Sequence, residues 1–215
     1  MLIQSKWQKT GALCFAAGGV QYLLAEMITA SGWRNPAYSY LHNYISDLGI
    51  ADCGVTPDGR DICSPLHNVM NAGFALEGML FFIACMLLRP VFHERGQKLF
   101  LLFGLLHGLG GVAIALFHSG GGTGGVTLHQ VGAVLAIAGG NLCLLTAGWM
   151  KRRNAGWRRF SLFSRALGSI GLMSMFAISL NLMPVGIIER FSVYPITCWQ
   201  IVTGLVVFFS GCRRG

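Results

Sequence analysis

Residues 66–117 read LHNVMNAGFALEGMLFFIACMLLRPVFHERGQKLFLLFGLLHGLGGVAIALF. Two apolar runs, 66–88 and 99–117, stand on either side of a short segment carrying Arg89, Arg95 and Lys98. A helix needs about 20 mostly apolar residues to cross a bilayer core of about 30 Å, and each run supplies them. The short connection makes the two an antiparallel hairpin. Outward from it, four more runs qualify, at about 11–31, 128–150, 162–183 and 194–212. The sequence therefore predicts an all-α, polytopic membrane protein, a single six-helix transmembrane domain over residues 1–215. The first run follows Lys6 and Lys9 as a signal peptide would. It is long enough to span and lacks a convincing cleavage site before Trp33, so it reads as a retained first helix.

Composition agrees: 53% of the residues are apolar and 11% are charged, far below the charged content of about a quarter usual in soluble domains. Of the 16 Lys and Arg residues, 13 fall in alternate connecting segments: Lys6 and Lys9; Arg89, Arg95 and Lys98; Lys151 to Arg153, Arg158, Arg159 and Arg165; Arg213 and Arg214. The intervening segments hold only Arg34, Arg60 and Arg190. Positive residues resist translocation, so the alternation predicts a plasma (inner) membrane protein with both termini cytoplasmic. Interface aromatics follow the same division, Trp7, Trp149 and Trp157 at inner ends and Trp33, Tyr38, Tyr40, Tyr44, Tyr194 and Trp199 at outer ends. A net charge of +8 placed at span ends points to anionic membrane lipids as partner and not to nucleic acid.

The predicted outer side carries a long loop, 32–65, and a glycine-rich one, 118–127. Within the first, Tyr38-Ser-Tyr-Leu-His-Asn-Tyr-Ile-Ser-Asp-Leu-Gly49 interleaves apolar and polar residues. That mixture suits a short amphipathic segment lying on the bilayer or capping the bundle. Cys53 and Cys63 flank a Thr56-Pro-Asp-Gly-Arg60 turn, on a side where thiols oxidise, so a disulfide is expected. A metal site would need partners at finger spacing, which are lacking. Cys14, Cys85, Cys143, Cys198 and Cys212 lie in or at the ends of spans, as packing thiols do. Small residues recur at fourth positions, Gly104 and Gly108 on span 3 and Gly132, Ala136 and Gly140 on span 4, which predicts close packing of those two spans.

Polar side chains inside a span are costly, and each is a functional candidate by default. Glu77 lies roughly 16 Å in from the outer start of span 2 and His107 roughly 14 Å in from the inner start of span 3. The two therefore share a depth, and a hydrogen bond between them is expected, either as a polar lock or as a proton-carrying or substrate-binding pair. Asn141 lies somewhat further inward. The other polar residues gather toward the outer face: Glu26, His42, Asn43, Ser46, Asp47, His67, Asn68, Asn71, His118, His129, Gln130, Asn181, Glu189 and Arg190. His67 and Asn71 share a helix face, as do His107 and His118 if span 3 is continuous.

Taken one at a time, outer histidines are ordinary interfacial residues. Together, Asp47, His67, His118 and His129 are candidates for catalysis, with Glu26, His42, Ser46, Asn68, Asn71, Glu77 and His107 as substrate-binding candidates. One chemistry is zinc on His67, His118 and His129 activating water against a lipid ester or amide. Another is general acid–base work on a headgroup without metal. No His-x-x-x-His or His-Glu-x-x-His occurs, so zinc ligands would converge from separate helices. A phosphate-binding loop, a Gly-x-Ser-x-Gly elbow, a lipid-phosphatase set and voltage-sensor arginines are all lacking. The run Gly120–Gly125 lacks the Lys-Ser/Thr that a phosphate loop needs.

Asn43-Tyr-Ile-Ser-Asp-Leu-Gly49, followed by Ser64-Pro-Leu-His-Asn-Val-Met-Asn-Ala-Gly-Phe74, resembles a family of prokaryotic six-span proteins, domain-of-unknown-function family 998. The layout also looks like the eukaryotic membrane family of GPI-anchor-remodelling and autophagy-modulator proteins. The resemblance implies a six-helix bundle with a structured outer loop and hints at lipids. It carries no activity onto residues. The cysteine-bearing insertion and the glycine run depart from the family pattern.

Three functions follow as expectations. The first is an outward-opening pocket between spans 1–4 that binds or processes a lipid or amphiphile headgroup. The second is a small proton-coupled transporter working through Glu77, His107 and Asn141. The third is a non-catalytic scaffold whose basic inner face holds anionic lipid.

Overall fold

The structure, a computed structural model, describes residues 5–56, 59–92, 94–118, 127–150, 155–180 and 183–210. The run 119–126, the stretch 151–154, Asn181, Cys212, Arg213 and Arg214 lie outside the described residues.

Six helices dominate: α1 Lys6–Gly32, α2 His67–Leu88, α3 Glu94–Leu116, α4 Leu128–Trp149, α5 Ala155–Ala177 and α6 Val185–Ser210. All six are long and apolar enough to cross a membrane. Two start at capping boxes, in which a hydroxyl and a glutamine amide satisfy each other's free backbone N–H groups. Ser5 and Gln8 open α1, and Thr127 and Gln130 open α4. The first box is why α1 begins before residue 11. The helices pack in chain order, α1 on α2 through to α5 on α6, and α6 returns to α1. The result is an up-and-down ring, with α6 also touching α4 across it. Leu24, Met27, Leu76, Met79, Leu102 and Val134 point outward and are exposed, as expected of a surface that meets lipid.

Alternating helix direction places loop 33–66 at one end of the ring, here the loop end, and Lys6, Arg89, Lys98 and Arg158 at the other, the basic end. Glycines set the spacing between helices, though not all where the sequence suggests. Gly108 meets the backbone of Gly78, and Gly104 meets Cys85, so these two pack α3 onto α2. The α3–α4 contact is instead made by Gly110 against Gly132 and Ala136, with Gly139 and Gly140 against His107. The reason is angular: Gly104 and Gly108 share a face, and Gly110 lies off it.

Loop 33–66 caps the ring. A 3-10 turn, Ser46–Gly49, drives Ile45 and Leu48 into an apolar cluster with Tyr22, Met70 and Phe74. Beyond it, β1 (Gly54–Val55) and β2 (Asp61–Ile62) form a small hairpin whose turn includes Gly59 at φ +82°, a backbone that favours glycine. The Cys53–Cys63 disulfide closes this hairpin. Of the two placements expected for this loop, capping is the one found.

Four helices start earlier than expected, α1 and α3 by five residues and α5 and α6 by more. Helix α5 begins at Ala155 and ends in a 3-10 turn, Ile178–Leu180. Helix α6 begins at Val185, not 194, and so contains Glu189, Arg190 and Pro195. Buried charges inside a span look prohibitive, but both here find partners, described below.

Candidate functional site

An apolar cluster with Phe15, Phe81, Phe100, Leu144 and Trp199 fills the basic half of the ring, and the Tyr22–Phe74 cluster fills the loop half. A polar layer lies between them. Glu77 is ten residues into α2, or about 15 Å along it. His107 comes from the middle of α3 and Gln200 from α6, and all three are buried. The His107 Nε2 is 3.0 Å and 2.9 Å from the two Glu77 carboxyl oxygens. Gln200 Nε2 donates to Glu77 Oε1 at 2.8 Å. On the other side of the ring, His107 Nδ1 is 2.7 Å from the Ala136 carbonyl of α4. Gly139 and Gly140 allow that approach, since a side chain at either would strike His107.

This geometry fixes the protons. A carbonyl oxygen only accepts, so His107 Nδ1 carries a hydrogen and donates it to Ala136. Nε2 faces a carboxyl group, so one further proton sits between the two side chains. The pair is then either carboxylate with imidazolium or carboxylic acid with imidazole, and both forms are neutral overall. Removing that proton leaves a bare buried carboxylate, helped only by Gln200. The layer is a one-proton site in the middle of the ring.

A cavity of about 60 Å³ lies between it and the loop cap. Its walls include Glu77 and His107 at the bottom, then Tyr22, Phe74 and Ile137, and near the cap His129, Glu189, Ile45 and Ser46. At about 30 Å³ per water, the space suits about two waters. It is too narrow for a phospholipid headgroup. Acid–base side chains thus line this small cavity at the polar layer and near the cap.

The cap is fastened to α6. Glu189 accepts a short hydrogen bond from the Ile45 backbone N–H. Arg190 is the larger anchor, donating to Glu26 Oε1 at 2.8 Å, to the Tyr38 hydroxyl at 2.6 Å and to the Tyr40 carbonyl at 3.0 Å. Its guanidinium also stacks 4.7 Å from the Tyr40 ring centre. Tyr194 donates to Glu26 at 3.0 Å. Burial pushes the Tyr38 hydroxyl well above its usual range, so it stays protonated and passes a hydrogen bond to the Tyr44 carbonyl at 2.9 Å. A second ion pair joins Asp47 to Arg60 of the hairpin, and Asp47 also accepts from the Tyr44 backbone at 2.9 Å.

The candidates from sequence separate accordingly. Glu77 and His107 meet, and His129, Ser46 and Glu77 line one cavity. Asp47 is buried in its ion pair with Arg60, and Glu26 in its pair with Arg190. His67 caps a turn through Ser64, Asn71 donates to the Gly49 carbonyl at 2.9 Å, and His42, Asn68 and His118 are exposed. Helix α3 stops at Leu116, so His118 lies past its end and off the His107 face. His129 Nδ1 is 2.9 Å from the Phe117 carbonyl. Among the described residues no three His, Cys, Asp or Glu side chains lie close enough to hold a metal ion, so the trio His67, His118 and His129 is not assembled. Asn141 faces away from Glu77: its amide donates to the Ser192 carbonyl at 2.9 Å and ties α4 to α6.

Gln200 and Glu189 complete the site in place of Asn141 and Asp47. A glutamine inside an apolar run was signal enough for the first. The sequence places Glu189 ahead of the last span, because Pro195 reads as a helix start when met from outside.

The six spanning helices and the polar layer within them define a multi-pass membrane protein. The chain belongs to the DUF998 family of proteins of unknown function, whose model matches residues 15–206. No curated protein and no solved structure matches the chain.

Proposed function

We propose that this protein is a proton-coupled carrier of the plasma membrane, with Glu77–His107 as its proton site and the loop end facing outward. The orientation rests on the alternation of Lys and Arg, which gathers Lys6, Arg89, Lys98 and Arg158 at the end opposite the capped loop. The observation that carries the reading is the cavity joining Glu77 and His107 to His129, Ser46 and Glu189. An intramembrane carboxylate and histidine on a water-sized passage are the parts of a proton path. A proton arriving from the loop end passes Glu189 or His129 and adds between Glu77 and His107; when it leaves, the carboxylate stays behind, held by Gln200. That change of charge in the middle of the bilayer is what can bias two conformations of the helix ring.

Headgroup binding has less support. Asp47, His67 and His118 do not line the cavity, and admitting a headgroup requires the anchors on Glu189 and Arg190 to release. The test needs no knowledge of the solute. Protein reconstituted on a solid-supported membrane should give a transient charge displacement on a pH jump, and Glu77→Gln and His107→Gln should each abolish it. An absent transient in the wild type, or an undiminished one in Glu77→Gln, contradicts the proposal.

A further inference from the structure

The outer surface of the ring carries a second feature, unrelated to the polar layer. A groove of about 560 Å³ runs between α2 and α3 in the basic half, open to the side where lipid lies. Such a volume is within the roughly 300–1,000 Å³ of small-molecule sites. Phe82 and Met86 of α2, with Arg89 just past its end, form one wall at spacings of four and three; Lys98, Leu101, Leu102 and Leu105 form its α3 wall. From residue 82 to 89 is about 10 Å of helix, and from 98 to 105 the same. The walls are apolar along that length and become cationic only at the end, where one span finishes and the next begins. Arg89 and Lys98 are both exposed there. The segment joining the helices holds Arg89, Arg95 and Lys98 against Glu94 as its lone acid.

An apolar trough capped by two cations at the membrane boundary matches one chemistry, a hydrocarbon chain attached to an anionic phosphodiester. We propose that this groove binds one anionic phospholipid, with an acyl chain along Phe82, Met86, Leu102 and Leu105 and the phosphate between Arg89 and Lys98. Both cations sit at the same boundary whichever way the protein faces, so the site does not depend on the orientation argued above. It is also independent of the proton site, since neither cation touches the Glu77 layer.

The test uses the intact protein in detergent, titrated with phosphatidylglycerol or phosphatidylcholine of identical acyl chains and read by native mass spectrometry. The wild type should retain phosphatidylglycerol at concentrations on the order of tenfold lower than phosphatidylcholine, as two basic residues near an anionic headgroup imply. The R89Q/K98Q variant should lose that preference, while K6Q/K9Q, with equal charge removed elsewhere at the basic end, should keep it. L105W fills the trough without changing charge and should weaken retention of the bound phosphatidylglycerol. Equal retention of both lipids by the wild type overturns the site, as does an equal loss in K6Q/K9Q, which would mark diffuse attraction. Undiminished retention in L105W overturns it too, and that arm decides alone should R89Q/K98Q fail to fold.

Discussion

Glu26 and Glu77 are both buried carboxylates paired with a basic side chain inside the ring, at 2.8 Å from Arg190 and 2.9 Å from His107. Their partners differ in one respect. Arginine does not deprotonate in proteins, whereas histidine gains and loses its proton near neutrality. Arg190 is therefore permanently charged, and its surroundings suit that: Glu26 faces it, and Tyr38, Tyr194 and backbone carbonyls satisfy the remaining donors and acceptors. In the Glu77–His107 pair one proton lies between two side chains that can each carry it, and the pair lines a cavity. One pair holds the cap to α6; the other is the proposed proton site.

Isosteric replacements break the comparison most directly. Glu26→Gln leaves the Arg190 charge buried without its counter-ion and should cost about 3–5 kcal/mol in unfolding free energy. Arg190→Lys should recover little, because a single ammonium cannot reproduce the fork that reaches Glu26, Tyr38 and Tyr40 together. Next comes the hairpin. Cys53→Ser with Cys63→Ser should cost about 2–3 kcal/mol, from loop-closure entropy over so short a loop. It should appear as faster hydrogen exchange in 44–62 and leave the polar layer unchanged. Glu77→Gln should cost less, about 1–2 kcal/mol, because His107 can discharge and accept from the new amide. If Glu77→Gln proves as damaging as Glu26→Gln, the contrast between the pairs is lost. The smallest effects belong to His67→Ala and His118→Ala, at the partly exposed and exposed ends of the bundle. Each should change stability by about 0.5 kcal/mol or less in thermal unfolding.

The six helices were legible because a bilayer crossing imposes a length and a composition that short windows of sequence reveal. The meeting of Glu77 with His107 was legible for a related reason: antiparallel spans of known length convert residue counts into depth. Depth is not direction, however. Asn141 lies about one turn deeper than His107 and turns toward Ser192, while Gln200 turns inward to Glu77. Helix rotation is set by which glycines touch, and the fourth-position rows at Gly104 and Gly108 pair with α2 where the same spacing suits α4 equally well. The loop-end histidines were over-read for the same reason. They share a level, but His42 and His118 are exposed and only His129 lines the cavity. Arg190 and Glu189 are legible as outer-face residues but fall ahead of the last span, because a charged pair in front of a proline looks like the approach to a helix. Only the cap, folded back over α6, makes them interior.

The central claim is that the Glu77–His107 pair binds and releases a proton reached from the loop end. Infrared difference spectroscopy of the reconstituted protein across a pH step measures it most directly. A carboxyl band should disappear in Glu77→Gln, shift in His107→Gln and persist in Glu26→Gln provided that variant folds. A spectrum without any band assignable to Glu77 across the accessible pH range would contradict it.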